Sequence, residues 1–179
     1  MQSLSEADRK AILDLTRQAV ARAVHSHQLM SPVPSEGVFS ERRGLFVTIH
    51  VNKKLQGCIG MIEAQAPLGE ALAMCAADAA LRDPRFREMQ PEQLEGSEVE
   101  ISLLTPLFAI RPEEIQVGKH GLLVQRGVRK GLLLPQVATE HHMTVKQFLQ
   151  ETCVKAGLPR EAWEDPGTKI YGFECEIIR

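Results

Sequence analysis

Apolar side chains recur at helical spacing at the start of the chain. Seven apolar residues recur near helical spacing: Leu4, Ala11, Ile12, Leu15, Ala19, Val20 and Ala23. This spacing places them on one face of a helix. Ser5 lies at the start of this pattern, and Asp8 lies three positions after Ser5, which is a capping arrangement. The sequence therefore predicts an N-terminal helix over residues 5–27.

The next segments predict a hairpin, a helix and a third strand. Residues 44–51 are rich in β-branched and aromatic side chains, as strands are, and residues 55–62 return after a polar turn at 52–54. An alanine-rich run at residues 68–80 predicts a helix whose small side chains allow a close approach to a sheet. Residues 98–104 alternate between polar and apolar side chains, which is typical of a half-buried strand.

A similar order of patterns returns in the second half of the chain. The string Gly-Leu-x-Val at residues 44–47 recurs 77 positions later, at residues 121–124. This match predicts two duplicated ββαβ units, at about residues 44–105 and about residues 121–178. The alternative is chance, because the string is common in strands. The predicted fold class is α+β, with residues 1–179 forming one two-lobed domain of mainly antiparallel sheets flanked by helices.

Composition and charge narrow the classes of function. Of 179 residues, 44% are hydrophobic and 25% are charged, and the net charge is −2. These values are typical of a soluble globular protein and argue against nucleic-acid binding, which needs a dense basic face. No apolar run approaches the roughly 20 residues that cross a bilayer. Four scattered cysteines without a CxxC pair predict reduced thiols in a cytoplasm, with no structural metal, disulfide or cofactor.

Cys58 is the strongest candidate for chemistry in the sequence. Gly57 and Gly60 bracket it within the string Leu55-Gln-Gly-Cys-Ile-Gly60. Because glycine tolerates close approaches that other residues resist, the chain is expected to bend, or to pack its backbone against a neighbour, around this thiol. Cys58 is then either a nucleophile or redox thiol, or a small buried residue that fits a crowded position.

Two further residues are candidates for acid–base chemistry. His120, at the entrance to a predicted strand, is a candidate base or thiolate partner, and its alternative role is a loop histidine bonded to backbone. Glu140 lies four positions after Gln136, so the two would share one face of a helix. If the repeats pack about a pseudo-two-fold axis, their two hairpin-to-helix junctions face one cleft. The predicted substrate-binding residues at these junctions are Gln56, Gly57, Gly60 and Gln136.

The Cys58 segment resembles the signature of the AMMECR family, which is usually written L-R-G-C-I-G. The resemblance covers nearly the whole chain, and further blocks fit the family in the family's own order: residues 44–48, 83–86, 99–102, 118–122, 132–138, 155–158 and Trp163. The resemblance implies a two-lobed α+β domain of ββαβ-like repeats. Gln56 stands where the family usually has arginine, so the chain lacks a positive charge that would hold an anion or favour a thiolate.

The resemblance implies partners more than it implies a reaction. Bacterial and archaeal members are often encoded beside a Memo-like protein, which is related to extradiol dioxygenases, and a radical SAM protein. This chain resembles component A of that AmmeMemoRadiSam set. Two functions stay open. The first is an enzyme or small-molecule-binding component that uses Cys58, His120 and Glu140, a set of residues that suits acyl or amide transfer. The second is a non-catalytic adaptor that uses the Cys58 junction for recognition.

Overall fold

The computed structural model describes residues 4–179, so the first three residues of the predicted domain lie outside the described residues. The first compact unit runs to Leu104 and takes in Glu176–Arg179, and the second is Thr105–Cys175. The helices and strands are α1 Glu6–Ser26, β1 Leu45–Val51, β2 Lys54–Met61, α2 Leu68–Leu81, β3 Ser97–Leu104, β4 Phe108–Ala109, β5 His120–Arg126, β6 Arg129–Leu133, α3 Pro135–Glu140, α4 Val145–Lys155 and β7 Lys169–Ile178. Short 3-10 turns occur at Gly37–Ser40, Pro91–Gln93, Pro112–Glu114 and Ala162–Glu164. The predicted α+β class with antiparallel strands is confirmed.

In the first unit, two helices pack on the strands β1, β2 and β3. β1 lies between β2 and β3, and both of its pairings are antiparallel. α1 begins at Ser5, whose side-chain oxygen accepts a hydrogen bond of 3.1 Å from the backbone N–H of Asp8, as the capping pattern predicts. The core contains side chains from α1, α2 and the sheet, among them Ile12, Leu72 and Ile101, each 0% exposed. The alanines of α2 allow this helix to pack closely on both β1 and β2.

In the second unit, β5 lies between β6 and β7, and the short β4 pairs with β7. β4, at Phe108–Ala109, is absent from the sequence prediction, because two residues are too few to show an alternating pattern. Thr144 caps α4 by accepting a hydrogen bond from the N–H of Gln147. Phe148 of α4 is fully buried in the core of this unit. Within residues 4–179, no helix has the length and apolarity needed to cross a membrane.

The two hairpins have turns of equal length but different conformation. Asn52 and Lys53 join β1 to β2 with φ angles of 50° and 64°, which is the pattern of a type I′ turn. Gly127 opens the turn between β5 and β6 with a φ angle of 60°, a conformation that favours glycine. The two turns lie 75 positions apart, rather than the 77 that the Gly-Leu-x-Val match predicts.

A β-bulge adds to this difference between the hairpins. Ile49 pairs with Gly57 and His50 pairs with Leu55, so Gln56 has no partner residue on β1. The β5–β6 pairing is continuous. The second unit thus keeps the order strand, strand, helix, strand with one added helix, but its register differs from that of the first unit.

Candidate functional site

Cys58 lies in the middle of β2, on the face of the strand that points away from α2. Gly57 faces α2, because a Cβ atom built on it would lie 1.9 Å from the carbonyl oxygen of Ala79. Side chains alternate between the two faces of a strand, so the next residue, Cys58, points to the other face. The residue is partly exposed. Cys58 is therefore not part of the helix-covered core.

Thr48 is the side-chain partner of this thiol. It pairs with Cys58 across the β1–β2 ladder, and its hydroxyl donates a hydrogen bond of 3.3 Å to the Cys58 sulfur. The backbone groups of Cys58 bond elsewhere, so the two residues form a non-hydrogen-bonded ladder pair, in which side chains come closest. The ladder geometry thus places the hydroxyl against the sulfur.

The backbone of Cys58 is held by two residues that follow α2. The N–H of Cys58 donates a hydrogen bond of 2.9 Å to Oδ2 of Asp83, and Nη2 of Arg85 donates one of 3.2 Å to the Cys58 carbonyl oxygen. β2 lies at the edge of the sheet, where such groups have no neighbouring strand. Asp83 and Arg85 therefore take the place of that strand at Cys58.

Asp83 and Arg85 are joined by a bidentate ion pair inside the Asp-Pro-Arg-Phe turn. Nε and Nη2 of Arg85 donate to the two carboxylate oxygens of Asp83 at 2.9 and 2.7 Å. The Asp83 side chain is 2% exposed, whereas that of Arg85 is 55% exposed. The hydrogen bond from Arg85 holds the pKa of Asp83 well below its ordinary value, the backbone N–H groups of Cys58 and Arg85 add to the effect, and burial opposes it. The Asp-Pro-Arg-Phe turn is therefore closed by an internal ion pair.

Arg85 brings a positive charge to Cys58. The hydrogen bond to Asp83 is the main cause that raises the pKa of Arg85, and the nearby Cys58 sulfur also contributes. Gln56 occupies the position where the resemblance predicts arginine, and its Nε2 donates a hydrogen bond of 2.7 Å to the carbonyl oxygen of Arg87. Gln56 therefore ties β2 to the same segment, and the cation nearest Cys58 in this segment is Arg85, whose charge is paired with Asp83.

Gly57 and Gly60, two of the predicted substrate-binding residues, have clear packing roles. A Cβ on Gly60 would lie 2.2 Å from the carbonyl oxygen of Leu45 and 2.5 Å from ring atoms of Phe46, its neighbour on β1. The Phe46 ring thus covers the glycine on the face that carries Cys58. The glycines around the thiol allow close backbone packing, one of the two expectations drawn from the sequence.

The other cysteines differ from Cys58 in burial. Burial raises the pKa of the Cys75 thiol to about 12, and the negative charge of Asp78 adds to the effect. Burial also raises the pKa of the Cys153 thiol. Both residues are buried, whereas Cys58 and Cys175 are partly exposed. Cys75 and Cys153 are therefore matched references for the reactivity of Cys58.

His120, Gln136 and Glu140 belong to the second unit, and Cys58 belongs to the first. His120 is 7% exposed, its Nδ1 accepts a hydrogen bond of 3.2 Å from the backbone N–H of Gln116, and its ring contacts Phe108 edge to face. This geometry favours the alternative role of a backbone-bonded histidine. Gln136 and Glu140 both lie on α3, where Glu140 is exposed and Oε1 of Gln136 is buried without a hydrogen-bond partner among the described residues.

Thr48 was missed as a site residue, and the sequence holds no signal for it. Counting back from the two-residue turn pairs Thr48 with Gly57, and only the bulge at Gln56 moves its partner to Cys58. The segment at Asp83–Phe86 was singled out in the sequence, but its contact with Cys58 depends on how α2 lies across β2.

Comparison with known proteins identifies the family. A model of the AMMECR1 protein family matches residues 13–178. The chain belongs to the AMMECR1 family. A protein of Methanothermobacter thermautotrophicus is 41% identical over 183 residues, which cover 98% of this chain and 95% of that protein. A protein of Aquifex aeolicus is 37% identical over 180 residues, with 96% and 92% covered.

An AMMECR1-type fold is also seen in a solved structure. The crystal structure of an uncharacterized protein from Pyrococcus horikoshii matches with a TM-score of 0.90 and 36% identity, covering 97% of this chain and 92% of that one. The predicted resemblance to this family is thus confirmed. The AMMECR1 match includes Thr48, Cys58 and Asp83–Phe86, so the arrangement around Cys58 lies inside the family region.

Proposed function

We propose that this chain is an enzyme or small-molecule-binding component that works through the thiol of Cys58. The observation that carries the proposal is the 3.3 Å contact between the Thr48 hydroxyl and the sulfur of a partly exposed cysteine. A nucleophilic thiol needs access for its substrate and neighbours that favour the sulfur anion. The Thr48 hydroxyl donates a hydrogen bond to the sulfur, and the Arg85 guanidinium donates one to the carbonyl oxygen of the same residue.

Acyl or amide transfer is the reaction class that fits this site best. The Cys58 sulfur would attack a carbonyl carbon to form a C–S bond, the bond to the leaving amine or alcohol would break, and the leaving group would take the thiol proton. Water would then hydrolyse the thioester and return a proton to the sulfur. Nη1 of Arg85, which is outside its hydrogen bonds to Asp83 and Cys58, would stabilise negative charge on the carbonyl oxygen.

The proposed setting is a cytoplasmic pathway shared with a Memo-like protein and a radical SAM protein. The support for this setting is the family resemblance. The proposed chemistry depends on Thr48 and Arg85, which lie with Cys58 in the first unit, and it does not require His120 or Glu140.

A non-catalytic adaptor is the second candidate function. One observation favours it: Leu55, on the same strand as Cys58, is 40% exposed, which is high for a large apolar side chain. In this case the bonds from Asp83 and Arg85 would serve only to fix the shape of the β2 edge. The two candidates differ in the reactivity that they require of Cys58.

Site-resolved alkylation of the folded protein separates the two functions. The protein is treated with iodoacetamide across a range of pH, and the four cysteines are quantified by mass spectrometry. We expect Cys58 to react at least about tenfold faster than the buried Cys75 and Cys153. Thr48→Val, which keeps the shape but removes the hydroxyl, should slow the reaction of Cys58 by about fivefold, the equivalent of one hydrogen bond.

The matched control is Ser102→Ala, on β3 of the same sheet. The Ser102 hydroxyl is buried and has no hydrogen-bond partner among the described residues, so its removal should leave the reactivity of Cys58 unchanged. If Cys58 reacts as slowly as Cys75 until the protein unfolds, the thiol function is rejected and the adaptor is retained. An equal effect of both variants would show that Thr48 has no specific role.

A further inference from the structure

The second unit contains a cavity of about 650 Å³ that is lined by residues of β6, α3, α4 and the loop between the two helices. α4 comes very close to β6 near its C-terminal end, where a Cβ on Gly131 would lie 2.2 Å from the backbone nitrogen of Ala156. α3 begins two residues after β6 ends. The cavity is open to solvent, and its volume is in the range of small-molecule sites.

The wall of this cavity is mainly apolar. Leu133 comes from β6, Val137 from α3, Met143 from the connecting loop and Val154 from α4. Val154 is 45% exposed, so one apolar side chain of this wall faces solvent. An aliphatic chain in the cavity would remove this surface from water.

The charges at the cavity favour an anionic ligand. Lys155 and Glu151 both line it, four positions apart on one face of α4. The carboxylate of Glu151 is bound by Nη1 of Arg160 at 2.5 Å, which offsets its charge. Lys155 is exposed and has no ion-pair partner among the residues that the structure describes. The remaining lining residue, His141, carries no negative charge in either of its protonation states. The positive charge of Lys155 beside the apolar wall is therefore not offset by another lining residue.

We propose that this cavity binds an aliphatic carboxylate, with the alkyl chain against Leu133, Val137 and Val154 and the carboxylate at the ammonium group of Lys155. An apolar wall with one cation at its rim is complementary to a molecule that has both an alkyl chain and a negative charge. A purely polar anion would leave the apolar wall without a partner. The site is independent of the function proposed for Cys58, because all of its lining residues belong to the second unit.

Titration with octanoate tests the proposal on the full chain. Amide resonances of ¹⁵N-labelled protein are followed as octanoate is added, with octanamide, which has the same chain but no charge, as the reference ligand. We expect saturable shifts centred on Leu133, Val137, Met143 and Val154, and about tenfold weaker binding of octanamide. The Cys58→Ser variant should bind octanoate with unchanged affinity, which separates this site from the thiol site.

Two pairs of variants test the charged part and the apolar part of the site. Lys155→Glu should weaken octanoate binding by about tenfold, whereas Lys146→Glu, an exposed lysine in the first turn of α4 that does not line the cavity, should not. Val154→Glu should weaken binding of both ligands, whereas Val128→Glu, at a hairpin turn where the side chain is 98% exposed, should leave both unchanged.

Any one of three results would overturn the proposal. One is the absence of saturable shifts at millimolar octanoate. Another is equal binding of octanoate and octanamide, which would remove the role of the charge. The third is an equal loss of binding in Lys155→Glu and Lys146→Glu, which would indicate attraction to the net charge of α4 rather than a site. Circular dichroism of each variant confirms that it is folded before binding is compared.

Discussion

At the residue scale, the absence of a side chain on Gly57 allows α2 to lie against β2. A Cβ at this position would be 1.9 Å from the carbonyl oxygen of Ala79, which is backbone and has little freedom to move. Gly131 has the same relation to the backbone of Ala156 in the second unit, at 2.2 Å. The position of Cys58 depends on this contact, because the turn that follows α2 holds the backbone of Cys58.

Gly57→Ala tests this close contact. The added methyl group must separate α2 from β2, so we expect a loss of roughly 3 kcal/mol in the free energy of unfolding. For a chain of 179 residues, this loss lowers the melting temperature by roughly 6–12 °C. Differential scanning calorimetry measures both values.

The matched control for this variant is Gly167→Ala. The nearest atom to a Cβ there is a side-chain oxygen of Asp165 at 3.2 Å, and the backbone is not in the left-handed region. This variant should change the melting temperature little. Equal melting temperatures for Gly57→Ala and Gly167→Ala would contradict the role given to Gly57.

The sequence predicts part of the chemistry at this scale. The two glycines bracketing Cys58 indicated close packing around a thiol, because glycine at both positions is costly unless a neighbour needs the space. Thr48 was not predictable, because its contact with the sulfur depends on the unpaired residue Gln56 in β2. A bulge changes which residues pair across the two strands, but no particular residue composition in the sequence marks it.

At the scale of elements, the Asp-Pro-Arg-Phe turn links the end of α2 to the edge strand β2. The Asp83 carboxylate accepts hydrogen bonds from the backbone N–H of Cys58 and from the Arg85 side chain and backbone. A buried carboxylate with several donors stays ionised, and its bonds are stronger than those of a neutral group. The turn therefore links α2 to β2 through Cys58 and Asp83, which are 25 positions apart in the sequence. We call this link the cross-link.

Asp83→Asn tests how much this cross-link contributes to the free energy of unfolding and how that contribution depends on pH. At pH 7 the variant should lose roughly 1–3 kcal/mol of unfolding free energy, because charge-assisted hydrogen bonds are weakened. The pKa of Asp83 is lower in the folded state than in the unfolded chain. Its contribution is therefore complete above the unfolded pKa of about 4 and is lost as the pH falls below that value. Urea unfolding at pH 7, 5 and 3 should show the difference between the two proteins shrinking at pH 3.

The control for this prediction is Glu114→Gln. Arg111 lowers the pKa of Glu114 to about 2, but both side chains are largely exposed, so solvent screens the pair and its loss should have little effect on stability. A difference between wild type and Asp83→Asn that stays constant from pH 7 to pH 3 would show that the carboxylate charge does not contribute to the cross-link.

The elements themselves were largely predictable, and their contacts were not. The helix at Glu6–Ser26 and the strand at Ser97–Leu104 lie within a residue or two of their predicted bounds, because long periodic patterns give strong signals. The two-residue strand at Phe108–Ala109 exists only through its pairing with Gly172 and Tyr171 of β7. Pairing of this kind is a tertiary contact that has no local signal.

At the scale of the whole molecule, the chain returns to its first unit at its C-terminal end. The sequence placed the strand ending at residue 178 in the second repeat, but Glu176–Arg179 belong to the first unit. Arg9 of α1 forms an ion pair with Glu176, and its Nη1 donates a hydrogen bond of 3.2 Å to the carbonyl oxygen of Ile177. The repeat pattern alone does not reveal this return, because a strand pattern shows which face is apolar but not which core receives it.

Ile178→Ala tests the contribution of this C-terminal segment to the first unit. Ile178 is 2% exposed and belongs to the hydrophobic core formed by α1, α2 and β1. Removing three methyl or methylene carbons from this core should cost roughly 3 kcal/mol. The loss should reduce amide hydrogen-exchange protection in β1 and β3, more than 70 positions away in sequence. Ile177→Ala, in which the neighbouring side chain is partly exposed, should have a smaller effect. A loss of protection confined to Thr105–Cys175 would instead place the C-terminal segment in the folding unit of the second repeat, as the sequence pattern predicted.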